Sequence, residues 1–422
     1  MGIVSRVVAG AVAVALGVLL AAPAPSAVAA TKVPGSFVVR GSGAGHGVGM
    51  SQYGAYQLSR AGDSASDIIS FYYPGAAVAT ATNNPRTIKV QVLGPTPDDR
   101  KKATLTVSGR FTLTDGSGTA VGSFTAGKAT LKVSGSKVAA TIGKKTVKAA
   151  RLVIATSGVA TLSGAQGSYH AGTLQATVIG KRLNVVNQVA MNTDYLYGLD
   201  EMPASWGTAG GAAALQAQAI VARSWVITQI LSHLDPSEQP ADAGRAACDC
   251  HVYDDQRSQN YTGWKKAGKK ANQPWLDAVD ATVHGTTVDV VRPAGSPGEI
   301  AETPYFASTG WASGAGTGSN ADVFGTASIS YLSGVVDPYS AQAPANPYRS
   351  WKRTLSQAKV AKLFGVEKVV SIQILTTYEG GLVESLTATT ASGATKTLTK
   401  TSAAWTSALG VPAPWLTSIT AK

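Results

Sequence analysis

Two adjacent carboxylates, Asp200 and Glu201, lie in a stretch of sequence that is rich in aromatic and apolar residues. A carboxyl group placed among Tyr195, Met202 and Trp206 would be poorly hydrated, and poor hydration raises its pKa because it disfavours the charged form. Repulsion from Asp200 would raise the pKa of Glu201 further. A carboxyl that stays protonated near neutral pH can act as a general acid. The alternative is a solvated carboxylate at a helix start, where the helix dipole lowers the pKa.

A second group of polar side chains accompanies a glycine-rich segment, residues 41–49. His46 lies among the glycines, and Ser51, Gln52 and Tyr53 follow shortly after them. Backbone without Cβ atoms allows a ligand to approach closely, and these side chains can hydrogen-bond hydroxyl and amide groups. The segment lacks the glycine spacing of a nucleotide-binding loop. A ligand-binding loop and a flexible turn therefore stay open as interpretations.

The two cysteines of the chain, Cys248 and Cys250, are separated by one residue and followed by His251. A disulfide between residues two apart closes a very small ring, but an oxidising compartment favours it. The same three side chains would instead supply part of a tetrahedral zinc site, which needs a fourth group or a water molecule. The sequence leaves both alternatives open.

The composition is that of a folded protein with a basic surface. Of the 422 residues, 44% are hydrophobic and 14% are charged, which argues against an intrinsically disordered polyelectrolyte. The formal net charge of +12 predicts attraction to polyanions. The sequence has no cluster of Lys and Arg with interleaved aromatic residues, so a nucleic acid is not an expected partner.

The first 29 residues have the order of a secretory signal peptide. Arg6 precedes an apolar run over residues 7–22, and residues 27–29 form an Ala-Val-Ala cleavage signal. We therefore expect cleavage after Ala29 and a secreted protein, extracellular or associated with the cell wall. At that location the expected polyanions are anionic wall polymers. An uncleaved membrane anchor is the alternative, although the run is shorter than the ~20 apolar residues that a span requires.

Periodicity predicts the elements that position these groups. Residues 212–234 predict a helix, because apolar residues recur there at spacings of three and four. Residues 85–190 alternate between polar and apolar types, which predicts a half-buried antiparallel sheet. Short strands are predicted again over residues 369–376 and 382–389. Together these patterns indicate an α+β fold.

The sequence resembles the SpoIID/LytB family of bacterial cell-wall proteins, which includes stage II sporulation protein D and amidase enhancers. The most specific matching stretch is the Glu-Met-Pro block that begins at Glu201, together with the Ala-Gln-Ala helix that follows it. Matching stretches span nearly the whole mature chain: 45–55, 183–187, 195–198, 201–206, 214–225, 250–253, 305–310, 331–337 and 408–416.

The resemblance implies a lytic transglycosylase that cleaves peptidoglycan glycan strands to 1,6-anhydro products, with Glu201 as the catalytic acid. It also implies a mixed α/β core with an inserted antiparallel β-rich subdomain and a long open groove. Because other members are described as amidase enhancers, the alternative is a glycan-binding protein that acts with a cell-wall amidase and does no chemistry. No cofactor is required for the cleavage.

Further side chains are expected to bind the glycan or a metal. The expected glycan contacts are Tyr195, Trp206, His46, Gln52, Gln218, Arg223, Tyr253 and Ser308. Arg223 is alternatively an ionic partner of Glu201, which would lower the pKa of that carboxyl. The family also has members that bind zinc through cysteines and a histidine, which implies Cys248, Cys250 and His251 as zinc ligands here.

The predicted division of the chain follows these features. The segments are a signal peptide (1–29), a glycine and histidine segment of the core (30–84), a β-rich subdomain (85–190), the main catalytic or binding segment (191–345), and a C-terminal β-rich segment that completes the core (346–422).

Overall fold

The computed structural model describes residues 32–83, 87–94, 100–231 and 245–422. The predicted signal peptide, residues 1–29, lies outside these ranges. Helices and several separate sheets are combined in one α+β structure, as the sequence predicts. The α-helices are α1 (Gln52–Ala61), α2 (Ala65–Tyr72), α3 (Ala212–Leu231), α4 (Trp264–Ala267), α5 (Gln273–Asp280), α6 (Asn320–Phe324), α7 (Tyr339–Gln342), α8 (Gln357–Phe364) and α9 (Ser402–Leu409). Within the described ranges, no helix has the length and apolar character that crossing a membrane requires.

The strands are short, and most lie in antiparallel sheets. In chain order they are β1 (Ser36–Ser42), β2 (Met50–Ser51), β3 (Ala76–Thr82), β4 (Thr87–Leu93), β5 (Lys102–Val107), β6 (Phe111–Asp115), β7 (Ala120–Phe124), β8 (Gly127–Ser134), β9 (Lys137–Ile142), β10 (Lys145–Ala149), β11 (Leu152–Thr156), β12 (Ala160–Leu162), β13 (Ser168–Tyr169), β14 (Thr173–Ile179), β15 (Arg182–Ala190), β16 (Val252–Tyr253), β17 (Val283–His284), β18 (Thr287–Pro293), β19 (Tyr305–Phe306), β20 (Trp351–Ser356), β21 (Val369–Thr377), β22 (Val383–Thr390), β23 (Thr395–Thr399) and β24 (Trp415–Ala421).

Two sheets account for the alternating pattern of residues 85–190. One has the strand order β16-β4-β15-β14-β11-β6-β7, and the other has the order β10-β9-β8-β5-β12-β13. Leu105 and Leu131 of the second sheet and Leu113 and Leu152 of the first are completely buried in one hydrophobic core. The predicted apolar face of each strand is therefore the face that packs.

Helix α3 is buried on nearly all sides. The predicted apolar stripe is buried, but so are the side chains of Gln218, Arg223 and Ser224. The helix packs against α1, α2 and α5 and against β18. A helix enclosed in this way needs internal partners for its polar side chains, and the partners come from distant parts of the chain.

Two backbone pairings bring separate segments together at one end of α3. Strand β19 pairs in parallel with β2, so that Tyr305 lies opposite Met50. The backbone around Leu199 forms an antiparallel bridge with Tyr261. As a result, the start of α1, the segment before α3 and the segment after it meet in one region.

The C-terminal part of the chain builds its own packed layer with β1. Strand β1 lies between β20 and β24, and β21, β22 and β23 form a separate antiparallel sheet. Buried residues of these strands, with α8 and α9, form a second hydrophobic cluster that includes Phe37, Leu355 and Trp405. The strands predicted at 369–376 and 382–389 are confirmed as β21 and β22.

Candidate functional site

Glu201 lies in the turn that precedes a short 3₁₀ helix, Ala204–Ala209. Its Oε1 accepts a hydrogen bond of 2.7 Å from the backbone N–H of Asn260. Burial raises the pKa of the Glu201 carboxyl, and the charge of Asp200 raises it further. The hydrogen bond from Asn260 N and the nearby polar groups of Tyr305 and Gln52 oppose this rise, but the net shift of the pKa is upward.

Asp200 has a separate ionic partner. The Nζ of Lys266 lies 2.7 Å from Asp200 Oδ1 and also donates to the Met202 carbonyl at 2.9 Å. Among the described residues, the ion pairs include none with Glu201. The two neighbouring carboxyl groups are therefore in different environments, one paired with a cation and the other poorly hydrated.

Tyrosine hydroxyls and amides surround the Glu201 carboxyl. Burial and the nearby Glu201 carboxylate raise the pKa of Tyr305 well above its usual value, so its hydroxyl keeps its proton beside the carboxyl. The Tyr195 hydroxyl donates to Gln259 Oε1 at 2.6 Å. Gln52 Nε2 donates to Gln218 Oε1 at 3.2 Å. This network fixes the position of the carboxyl without neutralising its charge by a cation.

Aromatic rings form a partly exposed surface beside this network. The ring of Trp206 stacks on Tyr56 with a centroid distance of 4.3 Å and an interplanar angle of 10°. Tyr53 meets Trp206 edge-on at 4.9 Å and Tyr348 edge-on at 5.8 Å. We call these four residues the aromatic cluster. Because Tyr53 follows Gln52 directly, the cluster adjoins the group that holds Glu201.

The comparison with known families matches this part of the chain. Residues 180–288 match the family model described as stage II sporulation protein, SpoIID. This part of the chain is similar to SpoIID. The matched range includes Glu201, Gln218, Gln259 and Asn260, so the predicted resemblance is confirmed in the region that holds the candidate site.

Two curated relatives support the same assignment over short stretches. The amidase enhancer of Bacillus subtilis (strain 168) is 52% identical over 44 residues, which is 10% of this chain and 6% of that protein. Stage II sporulation protein D of Bacillus amyloliquefaciens is 45% identical over 47 residues, which is 11% of this chain and 14% of that protein. The chain thus matches only a small fraction of the length of these relatives. No solved structure matches it significantly.

His46 contacts the Glu201 network through the backbone of Tyr305. Its Nδ1 accepts a hydrogen bond from Val48 N at 3.0 Å, and its Nε2 lies 2.9 Å from the Tyr305 carbonyl. Burial lowers the pKa of His46 to about 4, so the ring is neutral at physiological pH. Nε2 therefore carries the hydrogen and donates it to Tyr305. Both ring nitrogens are occupied, which makes His46 a positioning residue for Tyr305.

Arg223 corrects an expectation from the sequence. Its side chain is completely buried, and it donates to Asn192 Oδ1 at 2.9 Å, to the Asp289 carbonyl at 2.8 Å and to Thr282 Oγ1 at 2.9 Å. Burial lowers the pKa of Arg223 to about 10, which leaves it charged at neutral pH. It neither reaches a surface that a glycan contacts nor pairs with Glu201, because its donors are used inside the core of the domain.

Two other expected glycan contacts are placed away from Glu201. Ser308 is completely buried, donates to the Thr309 carbonyl and accepts from Asn346 Nδ2 at 2.9 Å. The Tyr253 ring lies under the guanidinium of Arg257, 3.9 Å from the ring centroid. Ser308 therefore has a structural role, and Tyr253 belongs to a separate surface.

The cysteine pair is a disulfide, one of the two alternatives that the sequence left open. In this form neither sulfur is a thiolate, and thiolates are the form that binds zinc. His251 Nδ1 accepts a hydrogen bond from Lys89 N at 3.0 Å. Among the described residues, no group of three or more His, Cys, Asp or Glu side chains is arranged to hold a metal ion. Cys248, Cys250 and His251 therefore do not fit the zinc site that the sequence suggested.

We expect a thiol assay to agree with this arrangement. Mature protein purified without reductant or chelator should show no free thiol after unfolding, and two after reduction. Metal analysis of the same sample should find zinc well below one ion per chain. Two free thiols with one zinc per chain would contradict the disulfide.

The two surface cavities that we describe lie outside the Glu201 network. One, of about 480 Å³, lies beside β1 and β20. The other, of about 170 Å³, is lined by Asp254, whose pKa burial raises to about 7. Neither includes Glu201 among its lining residues, so an open groove at Glu201 stays a prediction.

Several residues of the Glu201 network are not among those that the sequence predicted. Asn260 and Gln259 belong to a loop without a periodic pattern, and their roles follow only from the bridge between Leu199 and Tyr261. Tyr305 begins one of the stretches that resemble the family, which was an available signal. Tyr195, Gln52 and Gln218 were predicted as glycan contacts, but their side chains are buried in this network and position other groups.

Proposed function

We propose that this protein is a secreted, peptidoglycan-binding lytic transglycosylase that cleaves the bond between N-acetylmuramic acid and N-acetylglucosamine, with Glu201 as general acid and base. The observation that carries the proposal is the environment of Glu201. Its carboxyl is poorly hydrated, has a raised pKa and accepts a hydrogen bond from Asn260 N at 2.7 Å. Such a carboxyl holds its proton to higher pH than an ordinary glutamate does, which favours protonation of a leaving oxygen.

The proposed reaction uses one carboxyl group. Protonated Glu201 gives its hydrogen to the glycosidic oxygen while the C1–O bond breaks and positive charge develops on the sugar ring. The Glu201 carboxylate then takes the proton of the sugar's own C6 hydroxyl, whose oxygen bonds to C1. One product has a 1,6-anhydro end and the other a free hydroxyl, so the protons balance without water. Asp200 remains paired with Lys266 and has no step of its own.

The residues around Glu201 have supporting roles in this proposal. Tyr305 and the Asn260 N–H hold the carboxyl in one orientation and stabilise the carboxylate that forms after proton transfer. Trp206 and Tyr53 offer aromatic faces that suit the apolar faces of sugar rings. The predicted signal peptide and the net charge of +12 support a location at an anionic cell wall. The reaction as proposed requires no cofactor.

A second candidate function is a glycan-binding amidase enhancer that does no chemistry. The name of one relative, the amidase enhancer of Bacillus subtilis, favours it. The hydrogen bond from Asn260 N to Glu201 also favours it, since in this function the carboxyl would order the loop and have no catalytic role. In this function the aromatic cluster would bind the glycan and a partner amidase would cut the wall.

The two functions differ in their products. We expect mass spectrometry of glycan strands stripped of their peptides to detect 1,6-anhydro ends after incubation with the mature protein alone. A protein that only enhances an amidase would leave these strands intact, and would raise the rate at which an added amidase releases peptides from whole walls. Absence of anhydro ends together with such stimulation would replace the first function by the second.

The pH dependence of cleavage should report the environment of Glu201. Because the active form is protonated and its pKa is raised, kcat/KM should fall as the pH rises through that raised pKa. Replacing Asp200 by Asn removes a negative charge and leaves the Lys266 cation without its ionic partner. Each of these effects lowers the pKa of Glu201. The falling limb of the pH profile should therefore move to lower pH in D200N.

Asp254 provides the matched control, because its pKa is raised to about 7 by burial but it lines another cavity. D254N should leave the limb where it is. A limb that moves in D254N and not in D200N would show that Glu201 is not the titrating group.

A further inference from the structure

We propose that the cavity of about 480 Å³ beside β1 and β20 binds an acidic group, a carboxylate or a phosphate, carried on a wall polysaccharide. This inference rests on the proposed function for the identity of the polymer, but not on cleavage by Glu201. The cavity has a volume typical of small-ligand sites. Its lining includes three cationic side chains, Arg40, Arg349 and Lys352, and no carboxylate.

The positive charges at the cavity repel one another, which destabilises the fold. Arg40 on β1 lies directly opposite Lys352 on β20 in the antiparallel register. Their side chains project from the same face of the sheet, opposite to the face that buries Val39, and like charges in this arrangement repel each other. Within the described ranges, the ion pairs include none that involves Arg40, Lys352 or Arg349. An anion bound between them would relieve the repulsion.

Two tryptophans add aromatic rings and a hydrogen-bond donor to the cavity. Trp311 and Trp351 both line it and are partly exposed. The guanidinium of Arg349 lies 4.6 Å from the centroid of the Trp311 ring, a cation–π arrangement that holds the charge at the cavity wall. The Trp311 Nε1–H is buried and has no hydrogen-bond partner among the described residues. A buried donor without a partner is unusual, and an oxygen atom of a bound sugar or acid would accept its hydrogen.

The cavity walls are held rigidly before any ligand binds. Trp351 Nε1 donates to the Gly43 carbonyl at 3.1 Å, and Gly43 N donates to the Tyr348 carbonyl at 2.9 Å. Trp311 N donates to Ser42 Oγ at 2.9 Å. A site whose groups are already fixed loses little conformational entropy on binding.

The chain itself links the cavity to the aromatic cluster. Tyr348, which meets Tyr53 in that cluster, directly precedes Arg349 at the cavity. A glycan strand that lies on the cluster can therefore present an acidic substituent of the same strand to the three cations. We infer that the cavity selects strands that still carry acidic groups and anchors the protein on them.

The test compares two double variants that each remove two positive charges. R40Q/K352Q removes the pair that faces the cavity. R353Q/K362Q is the matched control, because Arg353 projects from the other face of β20 and Lys362 lies on α8, and neither lines the cavity. Binding is measured by sedimentation with purified walls, with walls whose phosphate polymers have been removed by acid, and with glycan strands stripped of peptides.

We expect R40Q/K352Q to weaken binding to whole walls at least tenfold and the control to weaken it less than twofold. A tenfold loss that persists on phosphate-free walls identifies a carboxylate as the ligand, and a loss that disappears there identifies phosphate. Removal of the peptides leaves a lactyl carboxylate on each N-acetylmuramic acid, so R40Q/K352Q should also bind stripped strands more weakly than the control if the ligand is a carboxylate, and equally well if it is a phosphate. Equal affinities of the two variants on every substrate would overturn the inference.

Thermal unfolding adds a readout that does not depend on the ligand. Because R40Q/K352Q removes a repulsive pair, its melting temperature should equal or exceed that of the wild type while its wall binding falls. Failure of the cleavage proposal is recognised separately. In that case the wild type forms no anhydro products, but the two double variants still differ in their binding to walls.

Discussion

Replacing Glu201 by Gln lowers kcat for the formation of 1,6-anhydro ends about 1000-fold, the scale of general acid catalysis. The amide keeps the size of the side chain and an oxygen that can accept from Asn260 N, but it has no proton to give to the glycosidic oxygen. Binding to stripped strands should change little, because the aromatic cluster is untouched. Quantitative mass spectrometry of the products and a binding assay on the same strands measure the two effects.

The matched control is E367Q, since Glu367 is largely exposed and is 4.0 Å from Lys368. It should retain wild-type activity. Undiminished anhydro products from E201Q would refute the catalytic role of Glu201 and favour the amidase enhancer function.

The stability of E201Q gives an independent check on the environment of this side chain. The pKa of Glu201 is higher in the folded state than in the unfolded state, so the stability that its protonated form contributes is present at low pH. That stability is lost as the pH rises through the folded-state pKa. E201Q should therefore be at least as stable as the wild type at pH 8, and the difference should shrink toward pH 4.

Replacing Arg223 by Met destabilises the fold by about 3 kcal/mol, since the change leaves buried acceptors without their donor. Asn192 Oδ1, the Asp289 carbonyl and Thr282 Oγ1 each lose a hydrogen bond from the guanidinium. For a protein of this size the apparent Tm should fall by roughly 4 °C. Differential scanning calorimetry measures the shift.

The exposed Arg110 supplies the control, and R110M should leave the Tm within about 1 °C of the wild type. Below its melting transition, R223M should cleave glycan with a KM close to that of the wild type. An unchanged Tm with a strongly raised KM would instead restore Arg223 as the glycan contact that the sequence suggested.

Features that depend on neighbours in the sequence were predicted well. The α3 helix begins at Ala212, as its apolar spacing predicts, and the alternating segments form strands. The raised pKa of Glu201 was predicted from its apolar neighbours, and Tyr195 and Met202 are indeed buried beside this half-buried residue. A local run of apolar residues reduces the hydration of a carboxyl next to it, so the sequence carries this information.

The state of Cys248 and Cys250 could not be predicted from their spacing. Cysteines separated by one residue are compatible with a disulfide or with thiolate ligands, and the spacing does not discriminate between them. The structure contains the disulfide because the backbone around Asp249 adopts a left-handed conformation, with φ of 50°, which brings the neighbouring cysteines to the same side.

The α+β class, the main helix, the strands and the raised pKa of Glu201 follow from the sequence, because each depends on periodicity or on close neighbours. The partners of Glu201 depend on tertiary contacts, since Asn260, Tyr305 and Gln52 come from segments joined by the β2–β19 pairing and the bridge at Leu199. The burial of Arg223 also depends on the packing of distant segments. The spacing of residues within a helix does not encode whether another element covers the polar face of that helix.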